Sequence, residues 1–168
     1  MKKNIIRTLL LLILIADMVF IFVNSAQDST ESATTSQSVT EMVAPVIVPN
    51  YKEMDSETQK QAVSSLDVYL REAAHLLQFV PMGFALYLLL CTFSLPFRIR
   101  YIEIPITLCF GILYALSDEI HQIFSPGRAF QLFDIMMDTC GVTIGLIAAL
   151  ILNLIIAKIN KRETDTAK

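Results

Sequence analysis

Charged residues are scarce in this chain of 168 residues, where they make up 17% of the total. Soluble domains usually carry about 25%. The charges that are present also cluster, which leaves long uncharged stretches between them. Because 54% of the residues are apolar, this pattern is typical of an integral membrane protein and argues against a soluble domain with a large core.

Cysteine is scarce too, and its placement excludes a disulfide framework. Cys91, Cys109 and Cys140 each lie within an apolar run. An odd number of cysteines in such positions is better interpreted as small packing residues. The chain also has no internal repeat, no HExxH zinc motif and no serine or cysteine nucleophile beside a base, and this last absence disfavours acyl transfer.

Four apolar windows approach the roughly 20 residues that a helix needs to cross a bilayer core of about 30 Å. They span about residues 5–23, 76–93, 104–123 and 133–157. We therefore predict an all-α integral membrane bundle of four transmembrane helices in a multi-pass plasma-membrane protein. The first window could instead be a cleaved signal peptide, but Asn24 suits the −3 position poorly and the window is long for one.

The distribution of basic residues predicts that both termini lie in the cytoplasm. With four spans, nine basic residues fall on the inner side and four on the outer side. The inner set is Lys2, Lys3, Arg7, Arg98, Arg100, Lys158, Lys161, Arg162 and Lys168. The outer set is Lys52, Lys60, Arg71 and Arg128.

The predicted organisation has four parts. Residues 1–23 form the first transmembrane helix and residues 24–70 an extracytoplasmic polar loop with an amphipathic lead-in helix from Asp55. Residues 71–157 form a three-helix core, and 158–168 a cytoplasmic basic tail. The stretch NSAQDSTESATTSQSVTE has almost no apolar content, which predicts a disordered or extended loop, and APVIVPN also reads as extended chain.

In this topology nearly every ionisable residue close to a span falls in one outer layer. Asp118, His121, Gln122 and Ser125 share one helical face, whereas Glu119 points elsewhere. Helix four contributes Asp134 and Asp138, and helix two contributes Arg71, His75 and Gln78. Because a charge facing lipid near the midplane costs several kcal/mol, we expect these faces to turn toward each other.

Simpler structural roles remain open for several of these residues. Asp134 can stabilise a helix N-terminus through the macrodipole. Arg128, next to the Ser-Pro-Gly turn at 125–127, can anchor the chain at the membrane interface. The GVTIG stretch is a small-xxx-small pattern that indicates close helix packing, and the Gly141/Gly145 face could also support an oligomer.

Two stretches resemble the VanZ-like membrane family. SDEIHQIFSPGRAFQLFDIMMDTCGVTIG is similar to that family's Ser-Asp-Glu-x-His-Gln block, Pro-Gly-Arg turn and glycine-rich helix. REAAHLLQFVPMGFALYLLL resembles a second sequence signature of the family, and VNSAQ resembles the segment that follows the family's first span. The sequence departs at Glu72, where a basic residue is usual, and at Gln78, where glutamate is common. The departure at Gln78 puts in doubt any role that needs a carboxylate on helix two.

The resemblance implies a role in the cell envelope of a Gram-positive bacterium, since the family's named member is associated with teicoplanin resistance. The expected function is non-enzymatic binding or exclusion of an amphiphile, such as a lipoglycopeptide or a lipid-linked cell-wall intermediate. An anionic outer layer would suit cationic head groups. The expected partners are this amphiphile and the lipid bilayer, with no nucleic acid. The expected binding residues are Arg71, His75, Gln78, Asp118, Glu119, His121, Gln122, Arg128, Asp134 and Asp138.

Other chemistries remain open for the same residues. A membrane enzyme could use His75, Asp118 and His121 for acid–base catalysis on a lipid-linked substrate, with Arg128 holding a phosphate. No cofactor is predicted, although His75, His121, Asp118 and Asp138 form a weaker candidate set for a divalent metal. A proton-coupled transporter would also contain buried acids and histidines.

Overall fold

The computed structural model describes residues 2–93 and 101–166. Arg98, Arg100 and Lys168, which contribute to the orientation predicted from basic residues, lie outside this part of the chain. The described residues form five α-helices and a short 3-10 helix, with no strand among them. The helices are α1 (Lys2–Ser25), α2 (Ser29–Ile47), α3 (Ser56–Cys91), α4 (Glu103–Gln122) and α5 (Leu132–Thr166), and the 3-10 turn covers Tyr51–Glu53. The predicted all-α class is thereby confirmed.

Three of these helices are long and apolar enough to cross a membrane. The segments concerned are Lys3–Ser25, Ser56–Cys91 and Leu132–Asn160. Helix α4 has 20 residues, enough for about 30 Å, but it carries Glu103, Asp118 and Glu119, and these three carboxylates lower its mean hydropathy. Side chains such as Ile13 and Ile151 are about half exposed on the outer surface of the bundle, as expected of residues that face lipid.

The polar segment after α1 folds into a helical hairpin, so the expectation of a disordered or extended loop is wrong. Helix α2 begins at the Asp28 cap, whose carboxylate accepts hydrogen bonds from the Thr30 and Glu31 amides. It packs beside α3 through Ser36 and Thr40, whose hydroxyls both donate to Asp67 Oδ1, at 2.5 and 2.9 Å. Hydrogen bonds between helices therefore replace the apolar contacts that the composition lacks.

The end of α2 and the start of α3 also differ in part from the sequence prediction. Helix α2 runs to Ile47 and includes Pro45, so the first half of APVIVPN is helical rather than extended. The lead-in segment is helical in the structure, where α3 starts at Ser56 with Asp55 as its cap. Its 36 residues extend over about 54 Å, which is longer than a bilayer core is thick. The first turns of α3 therefore extend beyond that core, beside α2.

Helices α3 and α5 pack most extensively, and glycine permits their close approach. A Cβ on Gly141 would lie 2.1 Å from the Leu76 carbonyl oxygen, and one on Gly145 would lie 2.0 Å from that of Val80. These glycines are therefore needed for close contact of the two backbones. The face that carries them packs against α3 of the same chain.

Hydrogen bonds near its two ends fix the position of α1 along the axis of the bundle. Near its start, the Arg7 guanidinium donates to Thr92 Oγ1 at 3.1 Å and to the Thr92 carbonyl at 2.5 Å, just after α3 ends. Near its end, the Ser25 hydroxyl donates to the Asp118 carbonyl of α4 at 3.3 Å. Helix α1 thus runs antiparallel to the second half of α3, and the end of α4 lies at the same level as the end of α1.

The chain turns sharply between α4 and α5, as the Ser-Pro-Gly stretch predicted. The Arg128 amide donates to the Ser125 carbonyl at 3.2 Å, and Gly127 has a φ of +75°, which glycine adopts without strain. A Cβ there would lie 2.2 Å from Ser29 Oγ. Because the Ser29 amide donates to the Pro126 carbonyl at 3.1 Å, this turn is joined to the start of α2.

Candidate functional site

A cavity of about 360 Å³ lies at the end of the bundle where α1, α3 and α4 meet α2. Its lining includes six of the ten residues that the sequence nominated for binding. These are Arg71, His75, Gln78, Asp118, Gln122 and Arg128. The other four, Glu119, His121, Asp134 and Asp138, are not part of its lining.

Helix α2 supplies one wall of the cavity, and the sequence prediction missed that contribution. Ser32, Thr35, Ser36 and Val39 all contribute to the lining. Their spacing places them on one face of a helix, so the signal was present at i, i+3, i+4 and i+7. Composition alone does not reveal this face, because a segment rich in small hydroxyl-bearing residues is typical of unstructured chain.

His75 lies between two carboxylates of α5. Its Nδ1 is 3.5 Å from Asp138 Oδ1 and its Nε2 is 3.8 Å from Asp134 Oδ2. Both distances exceed those of ordinary hydrogen bonds, and both acids are almost fully buried. Glycine packing between α3 and α5 brings the three residues together, because Gly141 lies one turn after Asp138 and contacts the α3 backbone at Leu76. Asp134 and Asp138 thus stand behind His75 rather than on the cavity surface.

Asp118 is the carboxylate that lines the cavity, and it is only 3% exposed. Its Oδ2 accepts a hydrogen bond from Gln122 Nε2 at 3.2 Å, one helical turn later. Its Oδ1 is buried and has no hydrogen-bond partner among the described residues. A buried acceptor without a partner is costly, so this oxygen is suited to receive a donor from a bound molecule.

Glu119 takes part in the polar end of the bundle, contrary to the expectation that it points elsewhere. It is 1% exposed, and its Oε1 accepts a hydrogen bond from the Gln131 amide at the entry to α5. The helical wheel failed here because it placed Glu119 relative to α4 alone. The chain returns after the turn and covers this side of α4.

His121 is separated from the cavity, although it shares the predicted face with Asp118. Its ring stacks on Phe22 of α1, with ring centroids 4.1 Å apart and an interplanar angle of 16°. Its Nε2 is buried without a hydrogen-bond partner among the described residues. The Asp118 carboxylate is hydrogen-bonded to Gln122 instead, and His75 is the histidine that lines the cavity.

Two arginines complete the lining, one from α3 and one from the turn between α4 and α5. Arg128 Nη1 lies 3.5 Å from Gln122 Oε1, at the limit of a hydrogen bond, and its Nε is buried without a partner among the described residues. Burial, followed by the nearby charge of Arg71, lowers the pKa of Arg128. Arginine nevertheless stays protonated at neutral pH, so the cavity holds two cations.

The charge of the lining differs from the anionic layer expected from the sequence. Its ionisable members are Arg71, Arg128, Asp118 and His75. Two permanent cations therefore face one carboxylate, while the remaining acids are turned toward His75 or toward the entry to α5. The surface that a ligand would meet is cationic, and no three His, Cys, Asp or Glu side chains in the described part of the chain are grouped to hold a metal.

The family profile described as VanZ/LLP1 matches residues 9–153, which is most of the chain. The protein belongs to the VanZ/LLP1 family. The match includes α1 from residue 9 onward, the helical hairpin, α3, α4 and about the first two-thirds of α5, and therefore every residue of the cavity. Together with three helices capable of crossing a bilayer, it makes the chain a VanZ-like membrane protein. No curated protein and no solved structure matches it.

Proposed function

We propose that this VanZ-like protein binds the head group of an amphiphile in the cavity and thereby protects the cell envelope, for example against a teicoplanin-type lipoglycopeptide. The observation that carries this proposal is the cavity itself. It joins buried polar groups such as Asp118 to apolar side chains such as Phe20 and Leu70. A site with both characters suits a molecule with a polar head and an apolar tail.

The proposed topology has four spans in the plasma membrane with both termini inside. Helix α4 runs beside the other spans from Ile104, which packs near Tyr87 and Leu150, to Asp118 at the level of Ser25. It is long enough to cross, and Asp118 and Glu119 are buried near one end of it, whereas Glu103 lies in its first turn at the other. With more basic residues on the opposite side, the positive-inside rule places the cavity on the outer face.

Access from the membrane is supported by α1. Phe20 is 56% exposed on the surface of that helix and also lines the cavity. An apolar chain anchored in the outer leaflet could therefore extend past Phe20 while its head group occupies the cavity. Non-enzymatic capture of this kind needs no covalent step, which agrees with the lack of a serine or cysteine nucleophile beside a base in the sequence.

Antibiotic susceptibility tests the proposal. A sensitive Gram-positive host carries empty vector, wild type, Asp118→Asn or Glu57→Gln at equal membrane levels, and teicoplanin is compared with vancomycin. Glu57 is an exposed carboxylate in the first turn of α3, so its variant is the matched control for loss of charge. We expect wild type and Glu57→Gln to raise the inhibitory concentration of teicoplanin, and Asp118→Asn to lose that protection. Equal protection by both variants would refute a role for the cavity.

A membrane enzyme acting on a lipid-linked substrate is the second candidate, and the placement of His75 favours it. The ring lines the cavity, while Asp138 and Asp134 approach its two nitrogens from behind. Carboxylates in such positions can fix the tautomer of a general base. Purified wild type and His75→Gln should then differ in turnover of a polyprenyl-linked substrate. Identical product yields from the two proteins would remove His75 from any catalytic role.

A further inference from the structure

The two cavity arginines lack the partners that buried guanidinium groups normally have. Neither Arg71 nor Arg128 forms an ion pair within 4.0 Å of a carboxylate in the described part of the chain. Arg71 makes no side-chain hydrogen bond there either, and Arg128 has only the long contact to Gln122. Both side chains are half-buried and line the same cavity.

Two like charges at one partly buried site repel each other, and the repulsion is larger than it would be in water because the surroundings are less polar. The cost is offset when an anion binds between them. Asp118 supplies one negative charge within the lining, and the charges of Asp134 and Glu119 also act on Arg128. No carboxylate in the described part of the chain comes within 4.0 Å of either guanidinium group, so both arginines lack an ion pair. A further anion is therefore the ligand that this electrostatic arrangement favours.

The directions from which the donors come favour phosphate over a carboxylate. Arg71 belongs to α3, whereas Arg128 belongs to the α4–α5 turn, so their guanidinium groups approach from different elements. One planar carboxylate satisfies a single guanidinium fork, while a tetrahedral phosphate presents oxygens in several directions. Ser32 and Thr35 of α2 add hydroxyl groups to the same lining.

We propose that Arg71 and Arg128 form a phosphate subsite, and that the phosphate group of a lipid headgroup occupies it while the attached chain leaves past Phe20. This inference rests on the proposed function, and it narrows the ligand from any amphiphile to a phosphate-bearing one. It also replaces the cationic head group that the sequence suggested. Inorganic phosphate presents the same chemistry without the chain, so the test separates the two sources.

Native mass spectrometry of the full-length protein in detergent provides the test. Three probes are titrated separately, namely farnesyl phosphate, farnesol and inorganic phosphate. The proteins are wild type, Arg71→Ala, Arg128→Ala, the double alanine variant, and Lys52→Ala, which removes an exposed cation near the 3-10 turn. A double lysine variant retains both charges without the guanidinium forks. Size-exclusion profiles and melting temperatures establish that each variant is folded.

We expect farnesyl phosphate to bind wild type and Lys52→Ala equally. Each single alanine variant should lose ~10-fold in affinity and the double variant ~100-fold, as for removal of hydrogen bonds to a charged group. The double lysine variant should lose ~10-fold, and it serves as the decisive variant if the double alanine protein does not fold. Arginine-dependent binding of inorganic phosphate as tight as that of farnesyl phosphate would support the subsite and assign free phosphate as its ligand.

Two results would overturn the inference. One is unchanged affinity of the folded double variants for farnesyl phosphate, and the other is equal affinity of wild type for farnesol and farnesyl phosphate. The antibiotic susceptibility test distinguishes failure of the phosphate subsite from failure of the proposed function. Phosphate binding without protection would defeat only the proposed function, whereas protection that survives loss of phosphate binding would defeat only the phosphate subsite.

Discussion

The two ends of the helix bundle use arginine in opposite ways. At the end where α1 begins, Arg7 donates two hydrogen bonds to Thr92, and its guanidinium carbon lies 4.4 Å from the centroid of the Phe93 ring. At the other end, Arg128 has a buried Nε without a hydrogen-bond partner in the described residues, and it faces a cavity beside Arg71.

This difference separates a structural arginine from one that is available to a ligand. The contacts of Arg7 occupy its guanidinium and secure the end of α3 against α1. Arg128 forms only the long contact to Gln122 through its side chain, and it has no ion pair within 4.0 Å in the described part of the chain. Within the described residues, Asp118 Oδ1 is a second buried polar atom that has no hydrogen-bond partner and belongs to the lining of the same cavity. In a folded protein such groups need an explanation, and ligand binding provides one.

The largest expected effect comes from disrupting the packing of α3 against α5, on which both ends of the bundle depend. Gly145→Leu places side-chain atoms where a Cβ alone would already lie 2.0 Å from the Val80 carbonyl oxygen, and a backbone atom cannot move aside easily. We expect destabilisation of about 3 kcal/mol or more, measured as the melting temperature and the yield of monodisperse protein. Ala148→Leu, on the exposed face of α5, is the control and should behave like wild type. A stable Gly145→Leu protein would contradict the close packing of α3 and α5.

The next largest effect distinguishes the arginines at the two ends of the bundle. Arg7→Ala removes charge-assisted hydrogen bonds to Thr92, so we expect a loss of about 1–3 kcal/mol in stability with unchanged binding of farnesyl phosphate. Arg128→Ala should not lower stability, because it removes the repulsion between the two arginines, while binding weakens. Thermal melting and native mass spectrometry on the same preparations measure both quantities. If the two variants behaved alike, the distinction between the arginines would be wrong.

A smaller effect concerns the helical hairpin. Asp67→Ala removes the acceptor shared by Ser36 and Thr40, and we expect a local loss of about 1–2 kcal/mol. Hydrogen exchange should accelerate in residues 29–47 and stay unchanged in α5. Asp67→Asn retains a carbonyl oxygen and should restore part of the protection. Equal acceleration throughout the protein would show that the hairpin is not an independent unit.

The smallest effect is the response of the hairpin to pH. The Thr30 hydroxyl, and then the Glu31 amide, lower the pKa of Asp28, and the Thr58 hydroxyl and amide lower that of Asp55. A depressed pKa means that these caps stabilise their helices above the unfolded value of 3.8, and that the contribution is lost as pH falls through the folded value. Hydrogen exchange in the first turns of α2 and α3 should therefore accelerate in acid. Asp28→Asn should remove this dependence for α2 alone.

The membrane helices could be predicted from the sequence because their signal is local. An apolar run long enough to cross a bilayer becomes helical wherever it is placed, since its backbone hydrogen bonds must be satisfied within the segment. The turn at Ser125–Gly127 and the packing role of Gly141 and Gly145 were predictable for the same reason. The start of α3 at Ser56 also follows a local signal, the Asp55 cap.

The hairpin and the true lining of the cavity could not be predicted this way. Helix α2 is held by hydrogen bonds to Asp67, which lies 31 residues after Ser36, and composition carries no information about such distant partners. His121 and Glu119 were assigned from a single helical face. The tertiary contacts of Phe22 and Gln131 decide where these two side chains lie.

The sequence by itself determined that this is a helical membrane protein of the VanZ-like kind, with both histidines and several of its acids collected at one end of the spans. Only the tertiary structure decided which of them face the cavity and which stand behind it. The physical reason is that helix periodicity fixes the angle of a side chain about its own axis. The sign of the charge that a ligand meets depends instead on how α3 and α5 pair His75 with Asp138, and on how the turn brings Arg128 beside Arg71.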